Sequence, residues 1–242
     1  MAEDDYELMP EKEIKELKKE VELLKKNPLG DSASSKDLFR AVDRLTVSLN
    51  NMMDLFKTAK ERGFTMDTTS LALPGSLQAG QKYGFLLAAG GMPPMTQGRG
   101  DFLPDATSLA IEHLSQGEKG FFLMVEGSQI DWGGHANNTE YVVTETLDFE
   151  KTVAAALDFA RKDGNTLVVV TADHETGGFS LSALRNEETG SADYKEIGPT
   201  FAISGHSATL IPVFAYGPGA ENFKGMYENT ELFHKMKALV NE

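Results

Sequence analysis

Residues 121–137 read FFLMVEGSQIDWGGHAN: five apolar residues, then Glu126, Asp131 and His135 within ten positions. An apolar run that breaks into turn residues and then delivers oxygen and nitrogen donors is how an α/β enzyme loads chemistry onto the end of a strand. Two later stretches have the same form. Residues 166–178, TLVVVTADHETGG, end an apolar run in Asp173 and His174. Residues 205–219, GHSATLIPVFAYGPG, set His206 just ahead of another apolar run. Three of the five histidines thus sit beside such runs, and that convergence marks a candidate site. His113 and His234 fall in helical stretches and read as surface residues.

The runs also constrain the fold. Residues 121–125 are too apolar to alternate, so they read as a strand covered on both faces. Residues 167–170 and 210–216 read as two more, and 63–69 and 82–89 as further strands. Between them, 106–115 and 141–162 carry a helical period, the second through Val142, Thr146, Phe149, Val153, Ala156, Leu157 and Ala160. Residues 179–203 are polar and irregular, with room for a hairpin, and 228–240 close the chain as a helix. Strands alternating with helices predict an α/β fold with a mainly parallel sheet flanked by helices.

Residues 1–57 differ in texture and are read as a separate segment from 58–242. Ile14, Leu17, Val21 and Leu24 follow a heptad seam, stopped by Asn27-Pro28-Leu29-Gly30. Leu38, Val42, Leu45, Leu49, Met52 and Phe56 make a second stripe. The spacing predicts a helical hairpin or an oligomerising coiled coil, with homo-oligomerisation through these helices as its consequence. The loop between the stripes, Asp31-Ser32-Ala33-Ser34-Ser35, has N-cap chemistry.

Composition narrows the partners. A net charge of −14 argues against nucleic acid, and an anionic substrate would need local positive charge, for which bound metal ions are the obvious source. No cysteine is present, which excludes disulfides and thiolate zinc sites. No apolar run reaches the roughly 18 residues of a membrane span. The charged start, MAEDDYELMPEKEIKEL, has no signal-peptide core, which reads as cytoplasmic for the chain as written. Arg99-Gly100-Asp101 is short enough to be a chance match to an adhesion tripeptide.

The donor types suit two kinds of ion. Asp131 and His135 are four apart, so a helical turn puts both on one face. Imidazole and carboxylate together suit zinc, at roughly 2.0–2.2 Å. Glu126, an isolated hard oxygen donor, suits magnesium better.

Taken together, VEGSQIDWGGHANN, TADHETGG and GHSATLIPVFAYGPGA resemble the alkaline phosphatases of the bacterial type, in that family's order and at plausible spacing. The resemblance runs from about residue 58 to the end and is similar to the C-terminal half of the family's catalytic domain. It implies phosphate monoesters as substrates, two zinc ions and one magnesium. Asp131, His135 and His206 match the ligands of the first zinc. Asp173 and His174 match two ligands of the second, and Glu126 matches a magnesium ligand. Trp132 matches a variable position beside the bound phosphate. The family's mechanism, phosphoryl transfer to a serine and then to water, and its periplasmic or extracellular location are implied likewise.

The matching residues leave out the family's nucleophilic serine, its metal-bridging aspartate, a threonine magnesium ligand and its phosphate-gripping arginine, so only the first zinc site is complete. Ser32 in Asp31-Ser32-Ala33 has the look of the nucleophile motif, beside the plain reading of an N-cap loop. Two functions therefore compete: a zinc-dependent phosphomonoesterase, and a non-catalytic zinc-binding or self-association module derived from one. A phosphodiesterase, sulfatase or phosphoglycerate mutase relative is the third reading, which the long motifs disfavour.

Overall fold

The computed structural model describes residues 55–88 and 91–240. The expected hairpin over 1–57 therefore lies outside the described residues except for its last three, and Ser32 lies outside them altogether. The chain divides into two compact units. Of the described residues, 55–72 and 76–88 with Gly91 fall in one, and 73–75 with 92–240 in the other.

The first unit opens with helical residues 55–61 and then pairs β1 (Phe64–Asp67) with β2 (Lys82–Phe85) in parallel, Phe64 opposite Lys82. Asp67 ends β1 by turning the chain: its Oδ1 accepts from Thr69 N (2.7 Å) and Ser70 N (3.3 Å). Those donors, Thr69's backbone N–H first, hold the Asp67 carboxyl below its ordinary value.

The second unit is built on one long helix. In chain order it holds α1 (Phe102–Leu114), α2 (Gln129–His135), α3 (Thr139–Asp163), β3 (Val168–Val170), β4 (Glu175–Thr176), β5 (Ser180–Arg185), β6 (Ala192–Thr200), β7 (His206–Ser207), β8 (Phe214–Tyr216) and α4 (Glu231–Val240). Asn138 starts α3 by accepting from Tyr141 N at 3.0 Å, and Gly164 at φ 72 ends it. Both α1 and α2 pack on α3. Leu109, Ile111 and Ala160 are buried there, and burying the first two contributes roughly 2–3 kcal/mol each.

The sheet differs from expectation. Among the described residues there are four two-stranded pairings, and only β1–β2 is parallel; β3–β8, β4–β7 and β5–β6 are antiparallel. Residues 121–126 form no strand, although their exposure alternates residue by residue as a strand's would. A strand needs a neighbour for its backbone N–H and C=O groups, and among the described residues none is paired with it. The β8 ladder likewise takes only the last three residues of the 210–216 run. The irregular stretch 179–203 does hold the hairpin, β5–β6, closed where Asn186 Oδ1 accepts from Glu188 N and Thr189 N. His113 is half-buried on α1, not a surface residue as expected, while His234 is exposed. Among the described residues no helix is long and apolar enough to cross a membrane.

Candidate metal centre

Three short elements bring the ligand-type residues together. Helix α2 carries Asp131 and His135 one turn apart, β4 follows Asp173 and His174, and β7 begins at His206. The β4–β7 ladder sets Thr176 opposite His206. Helix α2 lies so close to β4 that a Cβ on Gly134 would stand 2.8 Å from Thr176 O, a contact only glycine permits. Asn137 takes the left-handed region at φ 49 just after α2. With its amide nitrogen turned inward it donates to Gly134 O (2.9 Å) and Ile203 O (2.8 Å), tying the helix end to the loop before β7.

The result is a compact donor set. Asp131, His135 and His206 each offer one ligand atom, all within 4.8 Å of one another. The two Nε2 atoms of His135 and His206 stand 3.2 Å apart, and Asp131 Oδ1 lies 3.5 Å from the first and 3.6 Å from the second. Four ligands placed tetrahedrally at 2.0–2.1 Å from zinc are separated by about 3.3 Å, so the three observed edges fit such an ion.

The surrounding hydrogen bonds decide which lone pairs face inward. His135 Nδ1 lies 2.7 Å from Ser204 O. A carbonyl only accepts, so Nδ1 carries the proton and Nε2 presents its lone pair to the cluster. Thr176 Oγ1 donates to Asp131 Oδ1 and lies 3.2 Å from His174 Nδ1. The hydroxyl has one proton and the carboxylate is the stronger acceptor, so His174 Nδ1 donates to the threonine oxygen. His174 Nε2 is then an open donor atom, 3.3 Å from Asp173 Oδ2. The His174 ring stacks on His206, with centroids 3.5 Å apart and planes 19° from parallel.

The structure thus gathers Asp131, His135 and His206 and sets the Asp173–His174 pair against them through His174. Glu126 is exposed and stands outside this three-residue group. Trp132 is about half exposed, at 48%, on the same short helix.

Sequence reasoning missed Thr176 and Ser204, whose roles depend on strand pairing and loop closure. It also missed a buried ion cluster on α3. Arg99 Nη2 donates to Glu145 Oε2 (2.5 Å) and Asp148 Oδ2 (2.8 Å), with Arg99, Glu145 and Asp148 side chains 5%, 3% and 0% exposed. Burial pulls the Arg99 guanidinium down, but its bonds to the two carboxylates outweigh that and hold it above its ordinary value. Nearby, burial and the Glu145 charge push the Tyr141 phenol above its ordinary 10.0, against the opposing pull of Arg99. The signal for the cluster was a row of polar residues, Glu145, Asp148 and Thr152, at helical spacing on α3.

The family model for alkaline phosphatase matches residues 49–204 and 182–241. Alkaline phosphatase 4 of Bacillus subtilis is 32% identical, over 74% of this chain and 52% of its own length. The Escherichia coli alkaline phosphatase is 40% identical, over 57% of this chain and 31% of its own. Among solved structures, alkaline phosphatase from the Antarctic bacterium TAB5 superposes with a TM-score of 0.74 and 55% identity, over 78% of this chain and 55% of that one. A variant of that enzyme was solved with magnesium bound. The chain spans about half the length of the curated relatives it matches. On the strength of the family match, which spans well over half of its residues, the chain belongs to the alkaline phosphatase family.

Proposed function

We propose that the chain is the zinc-holding half-domain, residues 58–242, of a phosphomonoester hydrolase. The observation that carries this reading is the donor set of Asp131, His135 and His206, with its three edges of 3.2 to 3.6 Å. Asp173 and His174 offer two ligands for a second zinc, and Glu126 offers an oxygen for magnesium. Bound there, the ions supply Lewis acidity for phosphoryl oxygens, a water that ionises near neutral pH, and positive charge against a chain of net charge −14.

The chain's own residues do the rest. Ser204 O fixes the His135 tautomer, and Thr176 holds Asp131 by one oxygen. Trp132, half exposed beside Asp131, presents an indole N–H that can donate to a phosphate oxygen or a site water. Ser32 is the nucleophile candidate within this chain, and residues 1–57 are the segment for self-association. A phosphate ester then binds at the mouth of the cluster, where α2 is exposed.

Hydrolysis of p-nitrophenyl phosphate at alkaline pH, with zinc and magnesium supplied and His135→Ala run beside the wild type, tests the reading. Turnover that vanishes in His135→Ala is the expected result, and Ser32→Ala then asks whether that serine is the nucleophile. Retained zinc, lost in Asp131→Ala, without turnover would support the competing non-catalytic zinc module. No bound zinc at all would sink both.

A further inference from the structure

Helix α2 has little stiffness of its own. It is seven residues long, contains Gly133 and Gly134, and its N-cap, Ser128, makes no side-chain cap bond. Helices this short do not hold shape by local propensity. Yet Asp131 and His135 must be held to within a few tenths of an ångström for one ion to satisfy both. Something outside the helix has to fix its first turn.

The structure shows what does so. Gln129, the first residue of α2, is 6% exposed. Its Nε2 donates to Met92 O (2.8 Å), and its Oε1 accepts from the Tyr141 hydroxyl on α3. Both amide atoms are thereby used, one toward the Gly/Pro-rich strap before α1 and one toward α3. The strap is itself locked onto α3. Glu145 Oε1 accepts from Met95 N (2.7 Å), and Arg99 donates to Glu145, to Asp148 and, through Nη1, to Pro93 O (3.3 Å).

The ion cluster is a costly way to gain stability alone. It buries two carboxylates against one guanidinium, and Arg99 Nε and Asp148 Oδ1 have no hydrogen-bond partner. Buried ionic groups of this kind rarely outperform apolar packing, and their best-attested use is to fix one geometry over others.

We infer that Gln129 is a positioning residue for the metal ligands of α2, with the Tyr141 hydroxyl and the Arg99-locked strap as its two supports. The inference rests on the zinc reading of Asp131, His135 and His206, and it makes the quality of that site depend on a residue that offers no ligand atom to it. Removing the Gln129 amide frees the first turn of α2, so Asp131 and His135 drift from the spacing the ion requires.

The test compares zinc affinity, by competition with a chromophoric chelator, and the visible spectrum of the cobalt-loaded full chain. The variants are Gln129→Met, Tyr141→Phe and Asp131→Ala. Gln129→Met is expected to weaken zinc binding on the order of 10-fold or more and to alter the cobalt bands, as outer-shell losses do. Tyr141→Phe, which keeps the ring and loses one bond, should move both readouts the same way by less. Asp131→Ala should abolish binding. A metal-free thermal midpoint that falls in Gln129→Met while zinc affinity and cobalt spectrum match the wild type would reduce Gln129 to a packing residue and overturn the inference. Should Gln129→Met not fold, Tyr141→Phe is read in its place by the same two criteria. A wild-type chain that binds no zinc would instead bring down the metal reading, and the inference with it.

Discussion

Taking away the Arg99 guanidinium leaves Glu145 and Asp148, four atoms of buried carboxylate oxygen, with no cation between them. Breaking a buried ion pair from one side strands the remaining charge, and that is far more harmful than replacing the whole group with apolar side chains. Arg99→Met should therefore destabilise the chain by about 3–5 kcal/mol, read as a lower urea midpoint with unchanged slope. Adding Asp148→Asn to it should recover part of the loss, because one stranded charge is then removed. Arg99→Lys should fall between, since an ammonium is a point donor and cannot serve Glu145, Asp148 and Pro93 O in the fork geometry seen here. If Arg99→Met cost less than about 1 kcal/mol, an ordinary surface value, the cluster would have to be far wetter than its 0–5% exposures indicate.

At the scale of elements, the site depends on how closely α2 approaches β4 and α3. A Cβ on Gly133 would stand 2.9 Å from Val142 N, and one on Gly134 would meet Thr176 O at 2.8 Å. These are backbone atoms that cannot step aside, so Gly134→Ala must push β4 away from α2. Thr176 pairs with His206 and also holds Asp131, so that displacement pulls apart the donors that form the cluster. Gly134→Ala should cost about 1–3 kcal/mol in stability and, in the same chelator competition, lose most of its zinc affinity. Gly164→Ala is the control: at φ 72 it is strained, but nothing lies within 4 Å, so zinc binding should survive it. Wild-type zinc affinity in Gly134→Ala would show that the α2–β4 contact does not set the site. The candidate donors were legible beforehand, Asp131 and His135 from their spacing and His174 and His206 from the runs beside them, and the structure brings Asp131, His135 and His206 within 4.8 Å of one another. Their supports were not. Thr176 acquires its role from a ladder to a residue thirty positions on. Glu145 and Asp148 went unmarked because helical periodicity assigns charge to water, and only an arginine 46 and 49 residues earlier reverses that. Helices α1 and α3 lie close to where the helical period places them, and the ends of α3 are set by local caps, Asn138 and Gly164. The strands over 121–125 and 210–213 do not, since a strand is completed by a neighbour that no local pattern can supply.

At the scale of the molecule, that missing pairing among the described residues leaves apolar surface in the open. Phe122 and Met124 are 60% and 81% exposed in one extended run, and Leu210 and Phe214 are 72% and 64% exposed in another, while the alternate residues of each run are half-buried. Single exposed apolar residues are ordinary, but two runs each turning one apolar side to water amount to the kind of surface that seeks a partner. Opposing association is the net charge of −14, which keeps copies apart at low ionic strength. Salt screens that repulsion within about 10 Å at 0.1 M and about 3 Å at 1 M, yet leaves the hydrophobic attraction in place. The isolated chain should therefore sediment as a smaller species in dilute buffer and as larger ones as salt rises, with binding of a hydrophobic dye falling as the larger species form. Met124→Lys together with Phe214→Glu should suppress both effects while leaving zinc binding intact, since neither side chain belongs to the donor set. A chain whose sedimentation ignores salt and whose two-site variant binds dye as the wild type does would mean that these runs are covered in solution by other residues of the same chain.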